Sequence, residues 1–271
     1  MITVGIFDIN NEIRHAVSST KNKKMLVTGE NEIILATRTL EYNPGDYIKV
    51  SVSEKNTFLC VKLDETFDES MIYFGDTTEF IYKIPFGTEK EAMKDTAFLG
   101  KSVLISARYP NESEIKSYQN LSKNRHALDF DQNIYPFAST NSGTSRPAFM
   151  AKNAIDGIYA NDDHGVYPYQ SWGTNQKDDA ELKIEFGRDI KVNKLGITLR
   201  ADFPHDTYWK NLTVYFSDDT EIKINLEKTS KTQYFDIEQK EISWVVVKNL
   251  IKGEEGDFAA LTQFELWGYN L

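Results

Sequence analysis

LKIEFGRDIKVNKLGITL, residues Leu182 to Leu199, decides the fold. Leu182, Ile184 and Phe186 alternate with Lys183 and Glu185, so an extended chain here has one apolar and one charged face. After the turn tetrapeptide FGRD, Leu195-Gly-Ile-Thr-Leu199 repeats the alternation. The pattern returns in Leu212-Thr-Val-Tyr-Phe216, Ile222-Lys-Ile-Asn-Leu226 and Ile242-Ser-Trp-Val-Val246, with ADFPHD, SDDT and NLIKGEEG marking turns. Strands at this spacing, with little helix between them, predict an antiparallel sandwich. A parallel α/β sheet would need helical crossovers, and none is legible.

Outward toward the N-terminus the texture is similar. Ile2-Thr-Val-Gly-Ile6, Glu32-Ile-Ile-Leu-Ala36, Tyr47-Ile-Lys-Val-Ser-Val52, Phe58-Leu-Cys-Val-Lys-Leu63, Phe80-Ile-Tyr-Lys-Ile84 and Val103-Leu-Ile-Ser-Ala107 are strand candidates, and Asn43-Pro-Gly-Asp46 is a turn. GTEKEAMKD, from Gly87, has room for one helical turn. Asn111-Glu-Ser-Glu114 offers a capping residue with an acid three positions on, which predicts a short helix from Glu112 to Leu121. The chain therefore reads as all-β: a small β-sandwich over 1–110, a linker with a short helix over 111–135, and a second β-sandwich over 136–271. A length of 271 residues suits two such domains.

Composition narrows the function classes. The net charge of −10 argues against a nucleic-acid partner, because phosphate backbones need a basic face. KNKK at Lys21 to Lys24 is the one dense basic cluster and reads as a solvated hairpin tip. No apolar run approaches the ~20 residues of a membrane-spanning helix. The opening MITVGIFDIN shows no signal peptide, and the lone Cys60, which reads as a buried structural thiol, fits a reducing compartment. These features slightly favour a cytoplasmic location and do not fix the compartment, since many secreted bacterial proteins also lack cysteine pairs. Four Trp, fourteen Tyr and sixteen Phe suit strand faces and sugar platforms alike. Nucleophile elbow, phosphate loop and dinucleotide fingerprint are all missing, so no catalytic residue is assigned.

Five motifs in order then carry a resemblance: Phe137-Ala-Ser-Thr-Asn141, Ala151-Lys-Asn-Ala-Ile-Asp-Gly157, Ser171-Trp172, Ala180-Glu-Leu-Lys-Ile-Glu-Phe-Gly187 with Val192, and Ala260-Leu-Thr-Gln-Phe-Glu-Leu-Trp-Gly268. Over about residues 137–271 the chain resembles the discoidin, or coagulation-factor type C, domains, whose fold is the galactose-binding-like jelly roll. His164-Gly-x-Tyr167-Pro-Tyr-Gln-Ser-Trp-Gly173 and Arg200-Ala-Asp-Phe-Pro-His-Asp206 are similar to strings of a bacterial carbohydrate-binding subgroup. The N-terminal part resembles no family beyond its β texture.

The resemblance implies a structural Ca²⁺ site. It maps onto Asp156, Ser171 and Gln263, the last standing where the family usually has glutamate. An amide oxygen ligates calcium, but losing a carboxylate weakens the site. The alternative is a metal-free loop in which Asp156 accepts backbone hydrogen bonds. The resemblance also implies a ligand site on loops at one end of the sandwich. Arg200, Asp202, His205, Asp206 and Trp209 share one such connection, and the insertion from Ile158 to Gln170 adds His164, Tyr167 and Tyr169. Aromatic faces suit sugar C–H patches, and Arg, His and carboxylates suit hydroxyls. Trp172 and Trp209 read either as platforms or as core. Arg200 reads either as a ligand contact or as a clamp on Asp202 or Asp206. A zinc site on His164, His205 and Asp206 lacks a spacing signature. The expected function is non-catalytic carbohydrate binding; the alternatives are a glycan-active enzyme or enzyme component, and a protein–protein adaptor.

Overall fold

The alternation read in the sequence becomes strand in both halves of the chain. A computed structural model describes residues 1–144, 146–201 and 207–271 and divides the chain into two units. The first comprises Met1–Lys90, Lys94–Asn111 and Gln132–Ile134; the second comprises Glu91–Met93, Glu112–Asp131 and Tyr135–Leu271.

In the first unit the strands are β1 (Ile2–Phe7), β2 (His15–Val17), β3 (Asn22–Lys24), β4 (Leu26–Gly29), β5 (Glu32–Thr37), β6 (Tyr47–Val52), β7 (Thr57–Lys62), β8 (Ser70–Phe74), β9 (Glu79–Lys83) and β10 (Val103–Arg108). One sheet runs β4–β1–β6–β9 and a second runs β8–β7–β10–β5, every pairing antiparallel. Ile2, Val4, Ile6, Ile48 and Val50 from the first sheet are buried, as are Leu59, Val61, Ile72, Phe74 and Ile105 from the second. Each such side chain contributes roughly 1.5–3 kcal/mol of gross burial free energy. The lysine cluster sits on the exposed β2–β3 hairpin, as its charge requires. Cys60 is buried and unbridged. Gly87–Lys90 forms a single 3₁₀ turn.

The second unit holds α1 (Glu112–Lys116), β11 (Gln119–Asn120), β12 (Ile134–Tyr135), β13 (Phe137–Thr140), β14 (Trp172–Gly173), β15 (Leu182–Leu199), β16 (Trp209–Phe216), β17 (Glu221–Asn225), β18 (Gln233–Lys252) and β19 (Ala260–Asn270); Ile134 of β12 falls to the first unit, extending its second sheet at β8. The strand network is β11–β19–β15–β18–β16–β17, with β13 on β15 and β14 on β19. Every alternate apolar residue of the opening stretch, from Leu182 to Leu199, is buried in one core with Leu212, Val214, Phe216, Val245, Val247, Phe264 and Leu266.

Two expectations change. Leu182–Phe186 and Leu195–Leu199 are one strand, not two, because FGRD forms an irregularity between Glu185 and Ile190 instead of a hairpin turn. Gly187 has φ +65°, and a Cβ there would lie 2.1 Å from the Tyr135 ring, so only glycine fits the bend. The segment read as a linker also differs. The helix ends at Lys116, not Leu121, and the chain then joins β19. Leu121 N–H donates to Leu266 O at 2.7 Å, and Ser122 Oγ donates to Phe264 O at 3.0 Å. Residues 112–131 therefore belong to the second unit. Among the described residues no helix is long and apolar enough to cross a membrane.

Candidate functional site

Strand register assembles the site at one end of the second unit. Gly173 of β14 lies opposite Ala260 of β19, and Leu199 of β15 lies opposite Leu261. Arg200, the first residue past β15, donates its N–H to Ala260 O at 3.1 Å and its Nη2 to Phe258 O at 2.5 Å. Strand pairing thus brings three chain segments distant in sequence together beside Arg200. A cavity of about 430 Å³ opens there, and both His164 and Arg200 line it.

Other parts of the lining were not foreseen. Phe149, Phe258 and Arg146 contribute, together with Asn175 and Gln176 from the loop after β14. Phe258 is 52% exposed, on the GEEGDF loop before β19. The Arg146 guanidinium lies 5.3 Å from the centre of the Phe149 ring and donates from Nε to Glu91 Oε2 at 3.2 Å. Asn175 is anchored by its amide, which donates to Gly143 O at 3.0 Å. His164 is held through its backbone N–H, which donates to Asp163 Oδ1 at 2.7 Å. The cavity therefore combines two flat apolar faces with cationic and amide donors. No Asp, Glu or Cys lines it among the described residues.

Other expected ligand residues fall elsewhere. Trp172 and Trp209 are 0% and 2% exposed, with ring centroids 5.9 Å apart in the core, so neither presents a face to a ligand. The burial of two large apolar rings outweighs any platform role here. Tyr167 does not line the cavity; its ring lies under the Arg125 guanidinium, 5.9 Å from centroid to Cζ. Asp202, His205 and Asp206 lie outside the described residues, and the zinc reading of His164 with them lies there too. Among the described residues no three His, Cys, Asp or Glu side chains converge as a metal site.

Asp156 and Gln263, two of the three residues expected at a calcium site, are joined by hydrogen bonding. Asp156 ends the 3₁₀ turn Ala151–Ile155 and is buried. Its Oδ1 accepts from Ile158 N–H and from Gln263 Nε2, both at 2.8 Å. Its Oδ2 accepts from Gln170 Nε2 at 2.7 Å and from Arg125 Nη1 at 3.2 Å. Burial pushes the Asp156 carboxyl above its ordinary range, while Arg125, Gln170, Ile158 and Gln263 pull against that rise. All four contacts are donors, and each favours the ionised carboxylate. Gln263 joins Asp156 directly, but as a donor. Ser171 offers its carbonyl to Asn153 Nδ2 at 3.2 Å, and its buried hydroxyl meets no hydrogen-bond partner among the described residues.

Arg125 itself was not read from the sequence. An Asx turn places it: Asn124 Oδ1 accepts from His126 N–H at 3.0 Å, and Asn124 N–H donates to Ile155 O at 2.8 Å. His126, 1% exposed, is depressed to about 3 by burial and by the adjacent Arg125 charge.

No family model matches the chain, and no curated protein matches it. Solved structures do. The chain is similar to chitosan-binding module 1 from a chitosanase/glucanase of Paenibacillus sp. IK-5, at 17% identity and TM-score 0.37, over 55% of this chain and 99% of that one. It is similar to the family 32 CBM from C. perfringens NanJ in complex with galactose, at 17% identity and TM-score 0.38, over 48% of this chain and 91% of that one. A Streptococcus pneumoniae fucose binding module matches at 16% identity and TM-score 0.41, over 56% of this chain and 99% of that one.

Proposed function

We propose that the chain is a non-catalytic carbohydrate-binding protein and that the sugar sits in the cavity lined by His164 and Arg200. One observation carries this reading. Within about 430 Å³ the cavity sets two phenylalanine faces against two guanidinium groups, an imidazole and two planar amides. A sugar ring presents the complement, apolar C–H patches flanked by hydroxyls, and ligand sites of this kind span ~300–1,000 Å³. Asp202, His205 and Asp206 stay in the proposal as the residues that follow Arg200 in sequence.

The test is calorimetry of the full chain against a panel of neutral mono- and disaccharides, with chromogenic glycosides as a turnover control. Saturable binding that is lost in His164→Ala and weakened in Phe258→Ala, without turnover, supports the reading. Binding that neither substitution changes, or silence across the panel, overturns it. Release of product from a glycoside favours the enzyme alternative.

A further inference from the structure

The fold family implies a divalent cation at Asp156, and the residues around it do not fit one. Gln263 Nε2 lies 2.7 Å from Asn153 O, 2.6 Å from Thr262 O and 2.8 Å from Asp156 Oδ1. Two backbone carbonyls and a carboxylate oxygen thus converge on an amide nitrogen. The other end of that amide is also committed, because Gln263 Oε1 accepts Gly157 N–H at 2.9 Å. Asp156 has spent both oxygens on N–H donors, one of them the Arg125 guanidinium. Ser171 Oγ, Gln170 Oε1 and Thr262 Oγ1 are the buried side-chain oxygens on these segments with no partner among the described residues. Three oxygens fall short of the six to eight that calcium takes.

Charge also opposes a divalent ion here. Arg125 and Asp156 are both buried and neutralise each other. A divalent ion placed between them would leave two uncompensated positive charges out of water.

We infer that this loop junction is held by a protein cation and an amide in place of a metal, with Arg125 supplying the charge and Gln263 Nε2 occupying the oxygen cage. The device joins four segments of the second unit, at Arg125, Asp156, Gln170 and Gln263, and it sets stability independently of calcium.

All four tryptophans, Trp172, Trp209, Trp244 and Trp267, lie in the second unit, so intrinsic tryptophan fluorescence of the full chain reports on that unit. The experiment is thermal unfolding by fluorescence in EDTA and in about 5 mM calcium chloride, paired with calorimetric titration of calcium alone. The wild type is expected to melt within about 1 °C in the two conditions and to give no binding heat. Arg125→Met is expected to lower the midpoint by about 8 °C or more, because it strands a buried carboxylate. Arg125→Met combined with Gln263→Glu restores a second carboxylate and removes the competing cation, and is expected to gain a calcium-dependent rise in midpoint. A wild-type midpoint that rises with calcium, with saturable heat, overturns the inference. So does an Arg125→Met midpoint equal to wild type, or a double variant that folds and ignores calcium.

Discussion

Acidification isolates the contribution of one buried group, His126. Its imidazole is fully enclosed and its folded pKa falls to about 3, against an ordinary value of 6.5, through burial first and the Arg125 charge second. The native state therefore keeps it neutral, while the unfolded chain protonates it below about 6.5. The sign follows: the stabilisation is present above that value and is lost as pH falls toward 3. Between pH 7 and pH 5 the loss is about 2 kcal/mol, at ~1.4 kcal/mol per unit once the unfolded imidazole is protonated. Other groups titrate in the same range, so the quantity to measure is a difference. Urea unfolding at pH 7 and at pH 5, followed by tryptophan fluorescence, is compared for the wild type and His126→Gln. The wild type should lose about 2 kcal/mol more than the variant over this interval, a midpoint shift of roughly 4–8 °C in the matching thermal experiment. Parallel pH dependence in the two proteins would refute the reasoning.

Three further outcomes are expected. Phe258→Ala, at a half-exposed ring on the cavity, should weaken sugar binding about tenfold, or ~1.4 kcal/mol, and leave the thermal midpoint unchanged. Gly268→Ala should destabilise the second unit by about 3 kcal/mol or more by fluorescence-monitored urea unfolding, because a Cβ there would sit 1.9 Å from the Lys191 carbonyl oxygen, which is backbone and cannot turn aside. Cys60, buried in the first unit, should resist a thiol reagent until that unit opens; stoichiometric labelling of the folded chain at the rate of a free thiol would contradict its placement.

Period-two alternation made β1, β5, β6, β7, β9, β10, β15, β16 and β17 legible, because each sends apolar side chains into a core. β18 shows where that signal ends. In its first half, Gln233 to Glu241, only Phe235 and Ile237 pack against the core and Tyr234 stands 55% exposed on the other face, so the apolar stripe is too short to mark a strand. His164 and Arg200, singled out in the sequence as polar and ionisable loop residues, both line the candidate cavity. Sequence left Trp172 and Trp209 undecided, since an indole near a strand end has the same sequence signature in a core as on a platform. Phe149, Phe258 and Arg146 belong to three separate loops and become a site only through strand register. Arg125 meets Asp156 across 31 positions, a partnership that no local spacing encodes.

The place of β19 in the second unit has a consequence for biosynthesis. It is flanked by β11 and β15, carries β14 as well, and supplies Gln263 to the Asp156 cluster. Until residues 260–270 have left the ribosome, β11 and β14 have no strand to pair with, and β15 exposes an unpaired edge. Folding of this unit cannot run ahead of translation, and its nascent form should be the species that engages chaperones.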